Sequence, residues 1–145
     1  MDRDTLEKTL LDIAKSNVNE LSDMIEFFIG ISGGKREFIE MQSNLKLARK
    51  LGDKLITNYT YVYFLRFKNK ILKRKVEYLF NFDYTSLIEQ GTASDTDNLI
   101  RSIIAGIKSI WLTGDANTKL KIQNYILKLL GFSIQYDAIR TKIQA

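Results

Sequence analysis

Apolar residues recur along this chain in steps of three and four, the spacing that collects side chains on one face of an α-helix. Leu10, Ala14, Val18, Leu21, Ile25 and Phe28 form the first such stripe and predict a helix over 4–30. Asp4 and Glu7 stand at the N-cap and N3 spacing of a capping box at its start. A glycine-containing turn at 31–34 follows. Phe38, Met41, Leu45, Ala48, Gly52 and Leu55 then make a heptad-like seam, which predicts a second helix over 35–58. Ala48 and Gly52 are small enough for another helix to approach closely there.

The stretch 59–88 changes period. Tyr59, Tyr61 and Tyr63 alternate with Thr60 and Val62, a strand pattern. From Phe64 the spacing turns helical through Phe67, Ile71, Leu72, Val76 and Leu79. No second strand pattern exists for 59–63 to pair with, so the whole stretch is read as a third helix. A loop at 90–94 leads to Ser94 or Asp95 as the next N-cap. Leu99, Ile100, Ile103, Ile104, Ile107, Ile110 and Trp111 then give a wide apolar face and a central helix over 96–112. A fifth helix is expected over 117–130 with Gly131 at its C-terminal cap, and a short last one over 134–143. The expected fold class is all-α: a single domain, 1–145, built as a bundle of five or six helices.

Composition narrows the chemistry. The 145 residues include no histidine, no cysteine and no proline. Without histidine and cysteine there is no His-dependent triad, thiol nucleophile, disulfide or Cys/His zinc site. No nucleophile–base pair or catalytic spacing stands out, so the chain is read as a non-enzyme with no cofactor and no metal. No run of about 18 apolar residues is present, so no membrane span is expected. The acidic start, Asp2 and Asp4, is unlike a signal peptide. The expected location is cytoplasmic, or within an intracellularly assembled particle.

The net charge of +5 is unevenly spread. Residues 1–31 carry −4, residues 32–80 carry +8, residues 81–115 carry −3 and residues 116–145 carry +4. Within the basic block, Arg66, Lys70, Lys73 and Arg74 stand at i, i+4, i+7 and i+8, one face of a continuous helix. Lys46, Lys50 and Lys54 stand at i, i+4 and i+8 with Arg49 beside them. Like charges at i, i+4 repel by a few tenths of a kcal/mol, and phosphates would relieve that repulsion. Two such faces on neighbouring antiparallel helices would make one nucleic-acid-binding strip, for DNA or RNA, that contacts the backbone without reading sequence. Such a subunit would act in a larger nucleoprotein assembly, with other protein subunits or by self-association. The alternative is a structural or adaptor bundle whose apolar seams dock on a protein partner.

Three further features are weighed against plainer readings. Tyr59, Tyr61, Tyr63, Phe64 and Phe67 adjoin the basic stripe, where aromatics can stack on unpaired bases. The favoured reading is plainer: Phe64 and Phe67 in the core, and the three tyrosines half-buried with their hydroxyls in water. The run 30–35 superficially resembles a phosphate loop, but its spacing is one residue short and Arg36 stands where Ser or Thr is needed. Lys35 and Arg36 nevertheless oppose the dipole of the second helix, a small cost that a bound anion would lower. Asp95 and Asp97, like Asp2 and Asp4, sit where helix starts favour acids.

Overall fold

A computed structural model describes residues 2–81 and 95–145. Among them are six α-helices and no strand, packed as a bundle: α1 (Arg3–Ile31), α2 (Arg36–Arg49), α3 (Asp53–Arg66), α4 (Lys68–Leu72), α5 (Asp95–Thr113) and α6 (Ala116–Gln144). A 3-10 segment, Val76–Asn81, follows α4. The expected all-α bundle is therefore what the chain forms. The 90–94 loop and the end of the predicted 59–88 helix lie outside the described residues.

The first stripe reads as predicted. Leu10, Ala14, Val18, Leu21, Ile25 and Phe28 are all buried. The cap, however, is Asp2 rather than Asp4. The Thr5 backbone N–H donates to Asp2 Oδ1 at 2.7 Å, which holds the Asp2 carboxyl below its ordinary range. Asp115 does the same for α6 by accepting from the Thr118 N–H at 2.8 Å, and its carboxyl is lowered likewise. At the other end of α1, Gly34 N–H bonds to Ile29 O and Gly33 N–H to Gly30 O. With Gly33 at φ +72° this is a Schellman close, and the glycine run is a helix stop.

α2 runs back along α1. The Phe28 and Phe38 rings lie 5.5 Å apart, Gln42 reaches Ser22 and Glu26, and Arg49 reaches Asn19. The predicted second helix is split, because the chain turns at 50–52 and restarts as α3. Gly52 has φ +122°, which an L side chain rarely adopts, so it serves the turn and not a helix–helix seam. Close approach occurs at Gly106 of α5 instead, where a Cβ would sit 3.0 Å from Met41 Cε and 3.1 Å from Phe38 Cε1.

α3 crosses α1 and α6, and residues 59–63 are helical. Thr60 and Tyr63 face inward while Tyr59 and Tyr61 are half-buried. Asn17 is fully buried at the crossing and donates from Nδ2 to both Thr57 Oγ1 and Thr60 Oγ1 at 3.2 Å. The tyrosine alternation that suggests a strand is thus the imprint of a polar helix crossing with aromatic flanks.

The two predicted C-terminal helices are one. α6 passes through Gly131 without a break and lies antiparallel to α1, with Tyr125 against Phe27, Lys128 beside Glu20, and Tyr136 on Leu10 and Ala14. Tyr136 is fully buried, its ring 5.1 Å from Tyr61 and its hydroxyl donating to Asn58 Oδ1. Burial pushes its pKa up to about 12. Packing of this second half overrides the helix cost of glycine, about 0.5–1 kcal/mol. A Cβ built at Gly131 meets nothing within 4 Å. Gly131→Ala is therefore expected to stabilise the protein by about 0.5–1 kcal/mol, read as a higher midpoint in urea. A cap at Gly131 would make the same change destabilising.

Candidate nucleic-acid interface

The eight cations singled out from the sequence fall into two groups. Lys46, Arg49, Lys50 and Lys54 surround the α2–α3 turn. Arg66, Lys70, Lys73 and Arg74 lie at and beyond the far end of α3. That helix has 14 residues, a length of about 21 Å at 1.5 Å per residue. The expected single strip across two helices is accordingly not formed.

The first group is partly consumed by structure. Arg49 donates from Nε and Nη2 to the two carboxylate oxygens of Asp53, at 3.0 and 2.8 Å, and from Nη2 to Asn19 Oδ1 at 2.8 Å. A bidentate, largely buried pair of this kind ties the α2–α3 turn to α1. Lys54 lies 3.9 Å from Glu7 of α1, an exposed pair worth little in itself. Lys46 and Lys50 are exposed and have no carboxylate within ion-pair distance among the described residues. Lys35 and Arg36 are met by Glu37 at 3.0 Å and Glu40 at 2.8 Å. These are exposed pairs, so the carboxylates offset part of the positive charge at that helix start.

The second group is not a helical stripe either. α3 ends at Arg66, α4 has only five residues, and the chain turns at 73–75. Ile71 of α4 is buried in the main core. What gathers here is a basic turn: Lys68, Lys70, Lys73, Arg74 and Lys75, five cations in eight consecutive residues. Lys68, Lys73, Arg74 and Lys75 are exposed and Lys70 is half-exposed. None of the five has a carboxylate within ion-pair distance among the described residues. Lys68 and Lys75 escape a helical projection because they fall off the predicted face. Local density along the chain is the signal that finds them.

The turn has a specific backbone. Lys75 N–H bonds to Lys70 O at 2.8 Å and Arg74 N–H to Ile71 O at 2.9 Å, the paired bonds of a Schellman motif. Its left-handed position, filled by Gly33 after α1, is here filled by Arg74 at φ +60°. An L residue in that conformation costs roughly 1 kcal/mol relative to glycine. Arg74→Gly is therefore expected to raise the unfolding free energy by about 0.5–1 kcal/mol while weakening polyanion binding. Denaturant melts and a binding titration on the same sample check the two opposite signs.

The aromatics divide as well. Tyr63 and Phe64 are buried, with the Tyr63 hydroxyl donating to Leu79 O at 2.7 Å. Phe67 packs edge-on against Tyr63 at 5.5 Å. These are core residues. Among the described residues of this stretch the most open ring is Tyr78, 48% exposed, with Lys70 Nζ 4.2 Å from its centroid; Tyr59 and Tyr61 are half-buried. Asp97, expected at a helix start, is buried. No group of three or more Asp or Glu side chains suited to a metal exists among the described residues. No described helix is long and apolar enough to cross a membrane.

Comparison with models of known protein families, with curated proteins and with solved structures gives no match for this chain.

Proposed function

We propose that this chain is a non-enzymatic nucleic-acid-binding subunit that grips the phosphate backbone through its basic turn and acts within a larger nucleoprotein assembly. One observation carries this reading: five cations in eight residues, on an exposed turn, with no carboxylate paired to any of them among the described residues. Glu77 is the one acid in 68–80, and it too is exposed. Like charges held this close repel one another, and phosphates exchange that repulsion for charge-assisted contacts with release of counterions. Arg74 adds support, because a strained backbone retains a cation where glycine would be easier. Lys46 and Lys50 form a second, smaller contact near the opposite end of α3. Contacts of this type position a backbone and read no sequence.

The test is a polarisation titration of a labelled oligonucleotide across a range of salt, together with the ultraviolet absorbance ratio of protein purified without nuclease. Copurifying nucleic acid and binding that weakens steeply with salt are expected. Binding that is absent or indifferent to salt overturns the reading.

A second reading rests on its own observation. Leu47 and Leu51 are 59% and 73% exposed at the end of α2, beside a cleft shared with Leu99 and Ser102 of α5. Neighbouring exposed leucines suit a protein partner, as in a structural or adaptor bundle. Sedimentation in high salt separates the two: a salt-resistant oligomer without nucleic-acid affinity favours this second reading.

A further inference from the structure

We infer that the strand held by the basic turn is single-stranded, with an unpaired base stacked on Tyr78; this rests on the nucleic-acid reading above. The 3-10 segment repeats every three residues. Val76 and Leu79, three apart, are 1% and 2% exposed and anchor it in the core. That anchoring turns Tyr78 outward, one residue before Leu79 and three after the last cation of the turn. The Tyr78 N–H bonds to Lys75 O at 3.3 Å, which ties the ring's backbone to the turn itself.

Lys70 is the link between ring and phosphate. Its ammonium lies over one face of the Tyr78 ring, 4.2 Å from the centroid, so a base stacking on this ring takes the opposite face or displaces the ammonium, and either way the cation is within reach of the nucleotide's phosphate. Leu72, between Lys70 and Lys73 in the chain, is also exposed. Cations that follow a backbone next to an aromatic ring are the two parts of a single-strand site. A duplex keeps its base faces in the stack and offers this ring nothing.

Groove reading is disfavoured by the same geometry. A recognition helix must stand free to enter a major groove. α4 has five residues and buries Ile71 in the core, so it does not protrude.

The experiment compares three probes with the intact protein: a labelled oligothymidylate, a mixed-sequence duplex with the same number of phosphates, and phosphatidylserine vesicles. An oligouridylate arm repeats the first probe in ribose form. Single strands are expected to bind roughly fivefold or more tighter than duplex, a factor within the range of one stacked base. Tyr78→Ala should abolish that preference and Tyr78→Phe should keep it. Far-ultraviolet circular dichroism confirms that both variants are folded.

Equal affinity for single strand and duplex, unmoved by Tyr78→Ala, overturns the inference and leaves the nucleic-acid reading standing. Equal losses in Tyr78→Ala and Tyr78→Phe also overturn it, by assigning the contact to the hydroxyl. Binding to neither oligonucleotide overturns both, and vesicle binding in that case assigns the turn to an anionic membrane surface.

Discussion

Replacing Lys73, Arg74 and Lys75 together by alanine is expected to lower nucleic-acid affinity by roughly tenfold or more at moderate salt, without loss of helix content. Each cation on a backbone phosphate contributes through counterion release, and single strands report about 0.7 released ions per contact. Three of the five cations in the turn are removed at once. All three are exposed, and the hydrogen bonds that close the turn run between backbone atoms. Alanine at 74 keeps the left-handed strain, so the fold gains no compensating stability. The matching double substitution Lys46→Ala/Lys50→Ala is the internal comparison, with a smaller loss expected because it removes two cations rather than three and the neighbouring Arg49 and Lys54 already face Asp53 and Glu7. Polarisation with the same oligonucleotide measures both. A larger effect at 46 and 50 would move the principal contact to the α2–α3 turn.

Tyr136→Ala is expected to have the largest effect on stability, about 3–5 kcal/mol. The ring is fully buried between α1 and α3, on Leu10, Ala14 and Tyr61. Its hydroxyl is bonded to Asn58, which Arg140 Nη1 also reaches at 3.2 Å. Truncation therefore opens a cavity and also removes the Tyr136 donor to the Asn58 oxygen. Chemical denaturation followed by circular dichroism gives the value. A cost below about 1 kcal/mol would show that the second half of α6 does not dock as described. Tyr136→Phe, which removes only the hydroxyl, should cost far less.

Sequence and structure agree where burial alone decides. The stripe from Leu10 to Phe28 reads directly as the face of α1, every member being buried; of the predicted α5 face, Leu99, Ile100, Ile103, Ile107 and Ile110 are in the core while Ile104 and Trp111 are only partly buried against it. They part at the glycines. Gly131 looks like a helix stop, yet Tyr136 beyond it docks so well that the helix continues. Gly52 looks like a seam position, yet it turns the chain. A glycine permits a break without requiring one, and distant packing chooses.

The candidate site shows the same limit. Arg66, Lys70, Lys73 and Arg74 share a face only if one helix runs through them, and the helix projection assumes that it does. Arg74 itself contradicts the assumption by adopting a conformation associated with glycine. Tyr78 is outward because the local repeat is three residues, whereas a helical repeat ranks it no differently from its neighbours. Arg49 and Lys54 meet Asp53 and Glu7, and only a folded chain brings Glu7 to Lys54. Charge density along 68–75, which needs no assumption about helices, was the legible part.

The most direct measurement is the slope of log affinity against log salt for the native chain and for the Lys73→Ala/Arg74→Ala/Lys75→Ala variant, on one single-stranded oligonucleotide. Phosphate contact by the basic turn predicts a slope shallower by about 2 in the variant, three contacts at about 0.7 each. Identical slopes would contradict it, since the phosphates would then be meeting cations elsewhere.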